Sequence, residues 1–204
     1  MTGFLITLLI LLCTALMLWG AFVVYSRITA DKVLQNGRQK KSFLFNYLSL
    51  RFSRLSVIRD VSLVVKNNAN SGGKYISNIG LVFVNQGGLF IIDSVQGSGF
   101  IDINERSQWH RIINDNYYTF DDPIEKNIHK VKEVKWFLRS EGVENVPVHS
   151  LVVFTGKRIK FSKKLRGLIT VDELAPYLVD LNKDRFLSQK EIRDVVKLIK
   201  SKQG

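Results

Sequence analysis

The stretch SNIGLVFVNQGGLFIIDSV, residues 77–95, decides the fold. From Ile79 to Val84 every residue except Gly80 is apolar, so a strand here would be buried on both faces, as a central strand is. Leu89 to Val95 forms a second run, and Asn85-Gln86-Gly87-Gly88 between them is a hairpin turn signature. A hairpin this apolar needs neighbours, and the chain supplies them on both sides. Upstream, the β-branched run Val57 to Val65 precedes the turn cluster Asn67 to Gly73. Downstream, Gly97-Ser98-Gly99 breaks the next strand, and Gln108 to Ile113 can pair with Tyr117 to Phe120 across Asn114-Asp115-Asn116. Asp121 or Asp122 then caps a helix that has Pro123 in its first turn. Ile124, Ile128, Val131, Val134 and Leu138 give that helix an apolar stripe, and Gly142 ends it. Val148 to Thr155 reads as another buried strand, and two short helices follow near 171–180 and 188–201. The order predicts an α/β (α+β) domain in which a mixed sheet is flanked by helices.

The chain of 204 residues carries 30 Lys+Arg against 18 Asp+Glu, a formal charge of +12, and none of these charges precedes Arg27. Phe4 to Tyr25 is apolar but for Thr7, Thr14 and Gly20. As a helix, 22 residues would span about 33 Å, enough to cross a bilayer core. A cleaved signal peptide fits less well, because a basic n-region and an A-x-A site are missing and the apolar run is too long. Arg27, Lys32, Arg38, Lys40 and Lys41 follow the span. The positive-inside rule then puts the N-terminus outside and the rest in the cytoplasm. The expected organisation is a transmembrane anchor over 1–27, a basic juxtamembrane helix over 28–54 and one domain over 55–204. The lipid bilayer is thus one expected partner, through residues 4–25. A single cysteine, Cys13, excludes a disulfide scaffold and any multi-cysteine metal site.

The motif order resembles the NERD domain, a nuclease-related branch of the PD-(D/E)xK fold, from about residue 37 to 200. The resemblance rests on Ser77-Asn78-Ile79-Gly80 before an apolar strand, the hairpin, and a second strand ending Ile91-Ile92-Asp93-Ser94-Val95. It also rests on Trp109, on Asp122-Pro123 opening the long helix, on Val148 to Phe154, and on the segment from Gly167 to Leu174. It implies a restriction-endonuclease-like sheet and a bacterial inner-membrane setting. In active members of such folds, carboxylates on two adjacent strands hold a divalent metal, and a lysine two residues after the second carboxylate helps activate water. Laid onto this chain, the first aspartate falls on Gly80, the second carboxylate on Asp93 and the lysine on Val95. The family's early Gly-Glu falls on Gly37-Arg38, and an early helical glutamine on Lys126. One carboxylate is a weak Mg²⁺ site. The resemblance therefore implies a pseudoenzyme that needs no cofactor. The alternative is a divergent nuclease using Mg or Mn, with Asp93 helped by Asp102 or Glu105 and with Lys74, Lys126 or Lys130 replacing the lysine.

Asp180 to Glu191 fits an EF-hand loop at positions 1, 3, 5, 9 and 12, but Arg185 stands where the loop wants Gly. Ser188 with Glu191 predicts a capping box instead. Lys157, Arg158, Lys160, Lys163, Lys164 and Arg166 place six cations in ten residues. Such a surface attracts phosphate backbones by counterion release, and Tyr117, Tyr118 and Trp136 could stack on bases. DNA, an anionic membrane and a membrane-protein partner all stay open as occupants, as does a purely structural role in a membrane assembly. His110, His129 and His149 show no metal spacing.

Overall fold

The computed structural model describes residues 14, 17, 18, 42–53, 56–66, 74–104, 108–114 and 116–202. Except for Thr14, Met17 and Leu18, the expected span Phe4–Tyr25 lies outside them, as do its basic flank 27–41 and Glu105. Among the described residues no helix is long and apolar enough to cross a membrane.

The hairpin forms as expected. Strand β2 (Lys74–Asn85) turns through Gln86 and Gly87 into β3 (Gly88–Val95), with Asn85 opposite Gly88. β1 (Val57–Lys66) flanks β2 antiparallel, while β7 (Val148–Phe154) lies parallel to β3 and β9 (Leu168–Thr170) parallel to β7. The resulting five-stranded sheet has the order β1-β2-β3-β7-β9. Helices cover both faces. Along β3, Leu89 and Ile91 join one core with Val131, Val134, Phe137 and Leu138 of α2 (Pro123–Ser140) and Ile192, Val195 and Ile199 of α4 (Gln189–Ser201). Phe90 and Ile92 join a second core with Phe43, Leu44 and Leu48 of α1 (Phe43–Arg51) and Leu174 and Leu178 of α3 (Val171–Leu181). Period-two alternation between two apolar layers explains why this hairpin is hydrophobic throughout.

A single mixed sheet was expected, but the strands divide into two. β4 (Gly99–Asp102), β5 (Gln108–Ile113), β6 (Asn116–Asp121) and β8 (Ile159–Phe161) form a second sheet in the order β6-β5-β4-β8. The two are joined by a crossing of the parallel strands, β3 running on into β4 and β7 into β8. At the crossing the backbones meet so closely that a Cβ on Gly156 would lie 1.3 Å from the Gly97 carbonyl oxygen. Only glycine fits there. Between the sheets lies a third core around Ile101, Trp109, Phe154 and Leu168.

α2 begins where the sequence indicates: the Asp122 carboxylate accepts from the Ile124 and Glu125 amides at 2.7 and 3.2 Å, with Pro123 at N1. Its stripe is rotated from the expected one. Ile128 is 40% exposed, whereas Asn127 is fully buried. Asn127 Nδ2 donates to the Ile91 and Leu151 carbonyls and to Ser150 Oγ, at 2.8, 3.2 and 3.0 Å, tying α2 to β3 and β7. The capping box at α4 is present, with Glu191 accepting from the Ser188 amide at 2.7 Å and Ser188 Oγ from the Glu191 amide at 3.3 Å. Two other EF-hand positions are also engaged: Asp180 pairs with Lys183 at 2.7 Å, and Asn182 Oδ1 accepts from the Gln86 amide at 3.0 Å.

Candidate functional site

Asp93 continues the Leu89–Ile91 side of β3 past the end of the core, so its carboxylate meets α2 rather than open solvent. Lys130 on α2 reaches it. The Nζ atom stands 2.7 Å from Oδ1 and 2.6 Å from Oδ2, with side-chain exposures of 29% for the lysine and 22% for the aspartate. Both carboxylate oxygens are thereby hydrogen-bonded to one ammonium. One turn earlier Lys126 bonds Asp121 at 2.6 Å on the exposed surface, and one turn later Glu133 accepts from Ser77 Oγ at 2.5 Å. Of the three lysines considered as replacements for Val95, Lys130 is the one placed at Asp93.

Gly80 is one step beyond the Leu81–Ile92 pair, opposite Asp93 on the neighbouring strand. An added Cβ at Gly80 would meet nothing within 4 Å, so the missing aspartate leaves open space and not a filled core. On the other side of Gly80, Arg59 and Val61 pair with Leu81 and Ile79, leaving Asp60 across from Gly80 with φ +52°. At this step both strands switch the parity that faces the α2 layer: Ile58 and Val82 face it before, Val61 and Ile79 after. Asp60 is a carboxylate that sequence reading passed over, because the run Val57 to Val65 looked like an ordinary strand. It shares a cleft of about 450 Å³ with Gly80, Asp93, Arg59 and Ser94. Its side chain is 85% exposed and lies 3.8 Å from Arg59.

Asp102 lies in the second sheet opposite His110 and lines neither of the clefts that Asp93 lines. Among the described residues no group of three or more His, Cys, Asp or Glu side chains converges. The donor set at the family's metal position is therefore one carboxylate already bonded to a lysine, a glycine and a valine. With Lys130 on its carboxylate that set does not fit a Mg²⁺ or Mn²⁺ ion, and a single freed carboxylate would be only a weak site for either.

A family model described as the nuclease-related domain, NERD, matches residues 36–155. The chain belongs to the NERD family. The match takes in Gly80, Asp93, Val95 and Lys130 and ends before the basic run. No curated protein and no solved structure matches the chain.

The basic residues of this NERD protein lie on the turn before β8, on β8 itself and on the loop leading to β9. Lys157, Arg158, Lys160, Lys163, Lys164 and Arg166 are all exposed. In β8 the inward neighbours Ile159 and Phe161 pack against the third core, which turns Lys160 outward. Tyr117, Tyr118 and Trp136 are exposed as well, and the Arg111 guanidinium lies 5.5 Å from the Tyr118 ring. His149 has a structural place. It stacks on Phe90 with its Nε2 3.0 Å from the Gly87 carbonyl, and burial holds its pKa below the ordinary value. The Gly87 carbonyl opposes that shift, while Arg166 and Lys135 add to it.

Proposed function

We propose that this NERD domain is catalytically inactive and holds nucleic acid at a membrane, with residues 4–25 as its tether and residues 28–204 on the cytoplasmic side. The observation that carries the reading is the Asp93–Lys130 pair. An ammonium bridges both oxygens of the one retained family carboxylate, and the adjacent strand offers Gly80 where a second carboxylate would stand. The cation that neutralises the site is thus a side chain of the protein itself. Binding needs no such site. Six exposed cations on β8, the turn before it and the loop after it, in a chain of formal charge +12, supply sequence-independent attraction for phosphates.

The test uses the purified full chain in neutral detergent, mixed with labelled single- and double-stranded DNA, with and without Mn²⁺, at about 50 and 200 mM salt. Binding that weakens steeply with salt, without cutting, is expected. Metal-dependent cleavage lost in Asp93→Ala would refute inactivity and favour the divergent nuclease, for which Asp60 is the carboxylate nearest in register. No DNA binding at either salt would refute the nucleic-acid reading and leave docking of a membrane-protein partner. The tether is checked separately by alkaline carbonate extraction, which should leave the chain in the membrane pellet.

A further inference from the structure

The inward face of the second sheet is filled by Ile101, Trp109, Phe120, Ile159 and Phe161. Its outward face carries exposed apolar side chains among the described residues. Across the four strands, register places Lys160 of β8 beside Phe100 of β4, Phe100 opposite Ile112 of β5, and Ile112 opposite Tyr117 of β6. Paired residues share a face, so these four side chains form one outward row, spanning about 14 Å at the usual strand spacing. Phe100 is 39% exposed and Tyr117 is 71% exposed. The next row holds Asp102, His110 and Thr119, the last two joined at 3.1 Å.

We propose that this open face is a stacking platform for single-stranded nucleic acid, resting on the reading that the basic edge binds phosphates. Tyr117 and Phe100 offer π-faces to unpaired bases, two strands apart. Lys160 and the cations flanking β8 take the backbone on the side away from Tyr117. A duplex keeps its bases stacked inside and cannot use such rings, whereas a flexible single strand can lay bases flat on them. Charge selects the occupant: a row that runs from exposed aromatics into a cluster of lysines and arginines matches a polymer of planar rings on an anionic backbone. Asp102 keeps the phosphate path on the first row, since a backbone over the second row would meet its carboxylate.

The experiment titrates full chain in neutral detergent against fluorescently labelled oligo-dT and a duplex of equal length, following anisotropy, with melting curves checking that each variant folds. Tyr117→Ala is expected to weaken oligo-dT binding roughly tenfold while leaving duplex affinity and the salt slope unchanged. Tyr117→Phe should restore it, because the ring and not the hydroxyl does the stacking. A Lys160→Ala, Lys163→Ala, Lys164→Ala variant should weaken both forms and flatten the salt dependence. If the lysine variant weakens binding but Tyr117→Ala does not, the platform is refuted and the basic edge alone binds. If the unmodified chain binds neither DNA form, the nucleic-acid reading fails and the platform with it. Binding of anionic vesicles in place of oligonucleotide would be such a failure.

Discussion

Replacing Lys130 by methionine tests whether the lysine occupies the place of a metal. Methionine keeps most of the volume of the stem and removes the charge. The pair has N···O distances of 2.6–2.7 Å to both oxygens and side-chain exposures of 22% and 29%, so it is neither a surface pair nor a dry one. Exposed pairs contribute roughly 0.2–1 kcal/mol, and breaking a buried pair costs about 3–5. With about a quarter of each side chain in water, Lys130→Met should cost about 2 kcal/mol, or roughly 4–8 °C in melting temperature for a domain of this size. Asp93→Asn should cost a similar amount, and the double variant less than the sum, because neither change then strands a partner. The decisive measurement is thermal melting of the full chain with and without Mn²⁺. Lys130→Met leaves the Asp93 carboxylate without its cation, so added Mn²⁺ should raise its melting temperature, while the unmodified chain stays unmoved. An ion at ten times its dissociation constant contributes about 1.4 kcal/mol, which such a melt resolves as roughly 3–5 °C. Equal stability of Lys130→Met and the unmodified chain would refute the structural role. Equal Mn²⁺ stabilisation of both would refute the claim that the ammonium replaces a metal.

Gly80→Asp should fold, since an added Cβ there meets nothing within 4 Å. In the Lys130→Met background it should strengthen the Mn²⁺-dependent rise in melting temperature, and no further rise would show that Gly80 does not face Asp93. Asn127→Leu removes the two amide hydrogens that serve Ile91, Leu151 and Ser150 inside the core and should cost about 2–4 kcal/mol by urea denaturation; a loss under about 0.5 kcal/mol would contradict its role in binding α2 to the sheet. His149 is held below the ordinary pKa of 6.5 chiefly by burial, so as pH falls through that value the unfolded chain takes up a proton before the folded one does. Stability should therefore decline below about pH 6.5, and His149→Gln should flatten that part of the profile in urea melts. Gly156→Ala would force a Cβ into the Gly97 carbonyl and should cost roughly 4 kcal/mol or more, read as loss of the buried-Trp109 fluorescence signature.

Strands β1 to β7, the long helix and both capping devices could be read from the sequence because each is written in neighbouring residues. Asp122-Pro123 and Ser188 with Glu191 act over three or four positions, and the hairpin announces itself by alternation against two apolar layers. What could not be read depends on residues far apart meeting. Nothing local distinguishes Lys130 from Lys126, four residues away: one turn of helix sends one to Asp93 and the other to exposed Asp121. Ile128 fits the apolar stripe as well as its neighbours do, but the carbonyls of β3 and β7 draw Asn127 inward and turn Ile128 out. The face switch at Asp60 and Gly80 was equally hidden, since a positive φ at a non-glycine residue leaves no mark in the composition. β8 and β9 have three residues each, too few to show a period, and β8 sits inside a run of cations.

That run also shows which residues discriminate between explanations. β8 is an edge strand, and lysine on an edge is expected whether or not anything binds, because a charge there blocks pairing with another sheet. Lys160 alone is thus weak support for a phosphate contact. Tyr117 has no such second reason. β6 is the opposite edge, and an aromatic ring that is 71% exposed there invites association and contributes little burial. Edge protection explains the lysine without the tyrosine, and a solvated surface explains neither Phe100 nor Tyr117. A nucleic-acid platform accounts for the whole row across four strands. For that reason Tyr117→Ala separates the readings more sharply than neutralising any of the six cations.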